Sequence, residues 1–167
     1  FGFQVDETPV GFKYIGESMM KRGSIMGGEE SGGLSIQGHI PEKDGILACL
    51  LMAEIRAVHG QTLSEILHRI EKEFGGAATE RLDLRVEPQE KERISGEIKS
   101  FAPETFSGRQ VRERCTKDGL KLILEDGSWL LIRASGTEPL FRIYVETDSQ
   151  KRIKEIQDQV IKQFGMK

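Results

Sequence analysis

The 167 residues divide into two predicted units, an α/β unit over 1–77 and an α+β unit with an antiparallel sheet over 78–167. Three observations carry that expectation. Apolar residues recur at helical spacing on both sides of a loop that holds four glycines in seven positions, Gly27 to Gly33. The stretch Gly75 to Thr79 is small and polar between two patterned regions, as a boundary between domains should be. Beyond it the apolar period falls to two around Asp126-Gly127, the pattern of a hairpin.

In chain order, Phe1 to Val10 mixes aromatic and β-branched residues with polar ones and reads as a weak strand, followed by a helix from Phe12 to about Arg22. Ser24 to Met26 reads as a short strand running into the glycine loop, whose composition forbids regular structure. Asp44 can cap a helix whose interior, Ile46 to Ala53, is apolar on almost every side and is expected to be buried on more than one face. Gly60 is placed to end it. Thr62 and Glu65 form a capping box, and Leu63, Ile66, Leu67, Ile70 and Phe74 then mark an amphipathic helix. The second unit opens with a strand over Arg81 to Glu87. Pro88 then starts a helix with Ile94, Ile98 and Phe101 on one face, despite Gly96 in its interior. Leu120, Leu122 and Leu124 alternate with Lys121, Ile123 and Glu125; Asp126-Gly127 turns the chain; Trp129 to Ile132 returns. A strand over Leu140 to Glu146 leads through Asp148, as a cap, into a helix with Ile153, Ile156, Val160 and Phe164 on one face.

Composition narrows the function classes. A hydrophobic share of 37% with 31% charged residues is that of an ordinary soluble protein, and no apolar run approaches the roughly 18 residues of a membrane span. A net charge of −3 does not suit a nucleic-acid binder, so an anionic ligand must be met by local positive charge. Cys49 and Cys115 match no metal or redox spacing; buried free thiols in a reducing compartment, the cytoplasm, are expected. The chain opens at Phe1 without an initiator Met, a basic leader or a cleavage site, and is expected to be a fragment.

Three segments could carry chemistry. Arg133-Ala-Ser135-Gly136-Thr137-Glu138-Pro139, with Arg142 beyond it, joins two predicted strands and offers two hydroxyls, unencumbered amides and two guanidinium forks to a phosphate. It lacks the glycine-lysine ending of a Walker loop, and on spacing alone a strand connector with solvated edge arginines is the favoured reading. Gly28-Glu29-Glu30-Ser31-Gly32-Gly33 places carboxylates and a hydroxyl on a backbone that a ligand can approach, which suits sugar hydroxyls; a surface turn or an acidic metal loop are the alternatives. Lys43 and Asp44 stand at a helix start, where capping and solvation are the usual roles. His59 and His68 have no partner in ligand or catalytic spacing.

Taken together, Val10-Gly-Phe-Lys-Tyr-Ile15, Gly28-Glu-Glu-Ser-Gly-Gly33, Pro41-Glu-Lys-Asp-Gly45 and Arg133-Ala-Ser-Gly-Thr-Glu-Pro139 resemble the α-D-phosphohexomutase family, in the family's order and across nearly the whole chain. The resemblance implies the later part of a layered α/β third domain over 1–77, followed by a complete fourth domain over 78–167 of the TATA-box-binding-protein-like fold, with no DNA binding implied. It implies that Glu29 and Ser31 hold sugar hydroxyls and that Lys43 approaches the sugar phosphate or its reacting end. It implies that Arg133, Ser135, Gly136, Thr137 and Arg142 hold the phosphate that is not being transferred. The Glu-Glu-Ser variant of the sugar loop resembles glucose-phosphate mutases, with mannose and glucosamine phosphates as alternatives. The family's phosphoserine and its aspartate-rich magnesium loop have no counterpart in this sequence. Catalytic and metal residues are therefore expected in earlier domains of the same chain, hexose 1,6-bisphosphate is the implied intermediate, and the fragment alone is expected to be inactive. The rival from another class is a non-catalytic module whose phosphate loop meets a phosphorylated partner or nucleic acid.

Overall fold

A computed structural model describes residues 2–166, which form two compact units dividing between Glu73 and Phe74. In the first, α1 (Phe12–Arg22) ends on Gly23, left-handed at φ 66°, whose N–H donates to the Met19 carbonyl. A two-stranded antiparallel hairpin follows, β1 (Met26–Gly28) with β2 (Leu34–Ile36), so the glycine loop is the tip of a ribbon. Close packing fixes α1 on this ribbon. A Cβ at Gly27 would lie 2.4 Å from Ile15 Cγ2 and 2.6 Å from Met19 Sδ, and one at Gly16 would lie 2.3 Å from the Pro41 carbonyl oxygen. Ser35 is fully buried and donates its hydroxyl to the Ile40 carbonyl at 2.6 Å.

Two helices complete the unit. The Asp44 carboxylate caps α2 (Gly45–His59), accepting from the N–H groups of Ile46 and Leu47 at 2.9 and 3.0 Å, and Gly60 ends it in the left-handed conformation. Before α3 (Leu63–Phe74) the capping box is formed in both directions, Glu65 N–H to Thr62 Oγ1 and Thr62 N–H to Glu65 Oε2.

Several expectations for this unit are corrected. No strand or helix lies over residues 2–10, and Phe1 is outside the described residues. The strand expected at Ser24 to Met26 begins instead at Met26. Helix α2 was expected to be buried on more than one face, but none of its residues is buried, and Ile46 is 76% exposed and Val58 74%. The physical reason is width: two strands of three residues each offer little surface to cover an all-round apolar helix. Cys49 rides on this helix and is exposed, and Cys115 is half-buried, so neither is the buried thiol that was expected.

The second unit is a six-stranded antiparallel sheet with two helices. Its strands are β3 (Ala78–Arg85), β4 (Thr105–Phe106), β5 (Arg109–Cys115), β6 (Leu120–Leu124), β7 (Trp129–Ala134) and β8 (Leu140–Thr147), in the order β3-β8-β7-β6-β5-β4. Helices α4 (Pro88–Ser100) and α5 (Gln150–Phe164) cover one face. The alternation read in the sequence decides that face. Leu120, Leu122, Leu124, Leu130, Ile132, Ile143 and Val145 are all at most 1% exposed and share one core with Ile94, Ile98, Ile153, Ile156, Val160 and Phe164. Burying each such side chain contributes about 1.5–3 kcal/mol. The Asp126-Gly127 turn closes with Gly127 at φ 86° and the Asp126 carboxylate accepting from the Ser128 N–H.

Two features differ from the sequence reading. Asp148 does not cap α5; Ser149 holds that position, and the Asp148 carboxylate instead accepts from the Ser149 and Thr147 hydroxyls. Strand β5 escapes periodicity because it is mostly charged and exposed, with Val111 its one contribution to the core. No single helix among the described residues is long and apolar enough to cross a membrane.

Candidate functional site

The sugar-loop candidates come together in the first unit. The turn is closed by Glu29 N–H to the Gly33 carbonyl at 2.9 Å and Gly32 N–H to the Glu29 carbonyl at 3.0 Å. On it, Ser31 Oγ donates to Glu29 Oε2 at 3.1 Å, and Lys43 Nζ lies 3.6 Å from the same oxygen. Glycine at 33 makes this possible, since a Cβ there would meet Lys43 Cβ at 3.1 Å and Glu29 Oε2 at 3.4 Å. Lys43 reaches the loop because Asp44 N–H donates to the Leu34 carbonyl, tying the α2 entry to β2. The Asp44 carboxyl is held below its ordinary value, chiefly by the Leu47 N–H and then by the His39 imidazole 3.0 Å away. An acceptor, a donor and a hydroxyl that can do either thus converge on one exposed hairpin tip, a set suited to vicinal hydroxyls.

The phosphate-loop candidates gather at one end of the second unit's sheet. Arg133 on β7 and Arg142 on β8 are direct cross-strand partners, so their side chains share the face opposite the helices at a Cβ separation of about 5 Å. Like charges so placed repel unless an anion or counter-ions offset them. Asp83 on β3 is the next partner in the same row and lies 3.7 Å from Arg142 Nε, while Asp118 lies 3.4 Å from Arg133 Nη1. The Nε atoms of both arginines are buried and lack a hydrogen bond. The connecting loop carries Gly136 and Thr137 in the open, whereas Ser135 is only 3% exposed and accepts the Glu138 N–H on its hydroxyl at 3.3 Å. That bond uses a lone pair and leaves the hydroxyl proton.

Residues that sequence reasoning missed hold this end. Lys91 on α4 donates to the Ser135 and Glu138 carbonyls at 2.7 and 2.9 Å, and Arg85 pairs with Glu138 at 3.6 Å. Lys91 is 44 positions from Ser135 in the chain, so no local pattern could have announced it.

With both clusters in place, comparison with known proteins is decisive. Residues 1–74 match the family model for the phosphoglucomutase/phosphomannomutase alpha/beta/alpha domain III, and residues 77–163 match that for its C-terminal domain. The chain belongs to the phosphoglucomutase/phosphomannomutase family. Among curated relatives, a phosphoglucomutase/phosphomannomutase of Thermococcus kodakarensis is 28% identical over 92% of this chain and 31% of its own length. A phosphoglucosamine mutase of Carboxydothermus hydrogenoformans is 32% identical over 96% of this chain and 32% of its own. A solved structure from Thermus thermophilus, with the working name phosphomannomutase, superposes with a TM-score of 0.75 at 34% identity, covering 98% of this chain and 32% of that one. The chain therefore spans about a third of the length of the curated relatives it matches. The α-D-phosphohexomutase resemblance and the fold class, an α/β domain followed by an antiparallel-sheet domain, stand confirmed.

Proposed function

We propose that this chain is the substrate-gripping C-terminal portion of a phosphohexomutase, which interconverts hexose 1-phosphate and hexose 6-phosphate through a hexose 1,6-bisphosphate. The cross-strand Arg133–Arg142 pair carries the reading. Two guanidinium groups facing one another at the mouth of a loop with open amides form a dianion site, each charge-assisted bond being worth about 1.5–3 kcal/mol. Arg133, Ser135, Gly136, Thr137 and Arg142 hold the phosphate that is not being transferred; Glu29 and Ser31 hold sugar hydroxyls, and Lys43 meets the phosphate end.

The chemical contribution of such a grip is orientation. Fixing the distal phosphate and the hydroxyls spends remote binding energy on placing the reacting oxygen, and hydroxyl and phosphate contacts tolerate a sugar bound in either direction. Magnesium, when bound in such an enzyme, offsets charge on the transferring group. Among the described residues no group of three or more His, Cys, Asp or Glu is gathered to hold a metal, so no step is assigned to one here. The phosphoryl donor is likewise assigned to residues outside this chain, and the chain alone turns over no hexose phosphate.

Glucose is the proposed sugar on the strength of Glu30 between Glu29 and Ser31. A second reading, glucosamine, is favoured by relatives named phosphoglucosamine mutase, and a carboxylate pair would suit an ammonium group equally well. Titration of the chain with glucose 1-phosphate, watching backbone amide shifts, should move Ser135 to Thr137; silence there removes the grip. Parallel titrations with glucosamine and mannose phosphates rank the sugars. A coupled dehydrogenase assay should detect no turnover, and clear turnover by the purified chain would refute the division of labour.

A further inference from the structure

We propose that Lys91 is a positioning residue for phosphate binding, aiming the Gly136 N–H at the ligand by holding the carbonyl of the preceding peptide. The inference rests on the phosphate-loop reading above and goes beyond it to a residue outside the loop. Lys91 Nζ donates to two carbonyls at opposite ends of the turn, Ser135 at 2.7 Å and Glu138 at 2.9 Å. Its helix, α4, packs on the core face of the sheet, with Ile94 and Ile98 among the buried residues. The ammonium therefore draws those carbonyls toward the helix side.

The consequence follows from peptide geometry. In a trans peptide the C=O and the following N–H point in opposite directions within one plane. With the Ser135 oxygen directed to Lys91, the Gly136 N–H points away from the helices, toward the face on which Arg133 and Arg142 stand as cross-strand partners. Gly136 is exposed, and no atom within 4 Å would meet a Cβ there, so an incoming anion meets open backbone. The Glu138 N–H is already spent on Ser135 Oγ, which leaves Gly136 as an amide that Lys91 orients outward. An amine at 91 thus acts on the ligand through the backbone without touching it.

The test uses the full chain and inorganic phosphate as the probe, followed by ¹⁵N spectra of Gly136 and of the Arg133 and Arg142 Nε–H groups. In the parent chain all three signals should move together. In Lys91→Met the Gly136 response should vanish and affinity should fall about tenfold, the worth of one hydrogen bond to a charged group, while the arginine signals still respond. Lys91→Arg, which can donate to both carbonyls, should recover the Gly136 response. An equal weakening of all three signals in Lys91→Met would show a general charge effect and overturn the positioning role. Should Lys91→Met fail to fold, the parent alone decides: arginine shifts without a Gly136 shift overturn the inference. Silence of every signal in the parent overturns the phosphate-loop reading as well, whereas parent binding with an unchanged Lys91→Met overturns this inference alone.

Discussion

Gly119→Ala tests how firmly the strand beneath Arg133 is held. Gly119 precedes β6 at φ +94°, a conformation that glycine adopts freely and L-residues resist. A methyl group there would stand 2.2 Å from the Ile132 carbonyl oxygen and 3.1 Å from the Arg133 Cα. Both are backbone atoms of β7, so no rotamer change relieves the contact and strand or turn must move. The left-handed backbone costs about 1–2 kcal/mol and overpacking about 1–3 kcal/mol, so the loss should be about 3 kcal/mol. In a unit of about 90 residues that lowers the midpoint by about 10–20 °C. Trp129, the chain's single tryptophan, lies on β7 and reports this unit by fluorescence during urea or thermal unfolding. Because Asp118 adjoins Gly119 and pairs with Arg133, phosphate affinity should fall too. A stability change below about 0.5 kcal/mol, the range of neutral surface substitutions, would refute the packing account.

Acid should weaken the first unit through Asp44. Its carboxyl is held below the ordinary value of 3.8, so its contribution is complete above that value and fades as pH falls through the lower folded value. Asp44→Asn keeps an N-cap acceptor without titrating, and its helical circular dichroism should decline less steeply with acid than the parent's; parallel curves would count against the cap. Amide exchange should be faster over residues 2–75 than over 80–166, because α2 contains no buried residue whereas the second unit closes a continuous core. Uniform protection in a proven monomer would show that the first unit is better covered than its surface indicates.

Most of the elements were legible because their signals are local. The Thr62–Glu65 capping box, Pro88 at a helix start, the glycine stop at 60, and the Leu120-Leu122-Leu124 alternation each act within one turn or one strand pair. Where a competing short-range option existed, the reading slipped: Ser149 took the cap expected of Asp148, whose carboxylate was satisfied by neighbouring hydroxyls. Apolar content also misled at α2, because hydrophobicity states what a helix prefers to bury and cannot state what surface is present to bury it.

The candidate site divides along the same line. Residue types suited to an anion loop and a hydroxyl loop stood in the chain as short contiguous motifs, Arg133 to Pro139 and Gly28 to Gly33, with a strand connector and a surface turn left open beside them. Tertiary structure alone decided that Arg142 would face Arg133, that Asp83 and Asp118 would stand beside them, and that Lys91 would grip the loop from 44 positions away. The reason is physical: strand register and helix packing are settled by a shared core, so contacts between residues distant in sequence exist only once that core has formed.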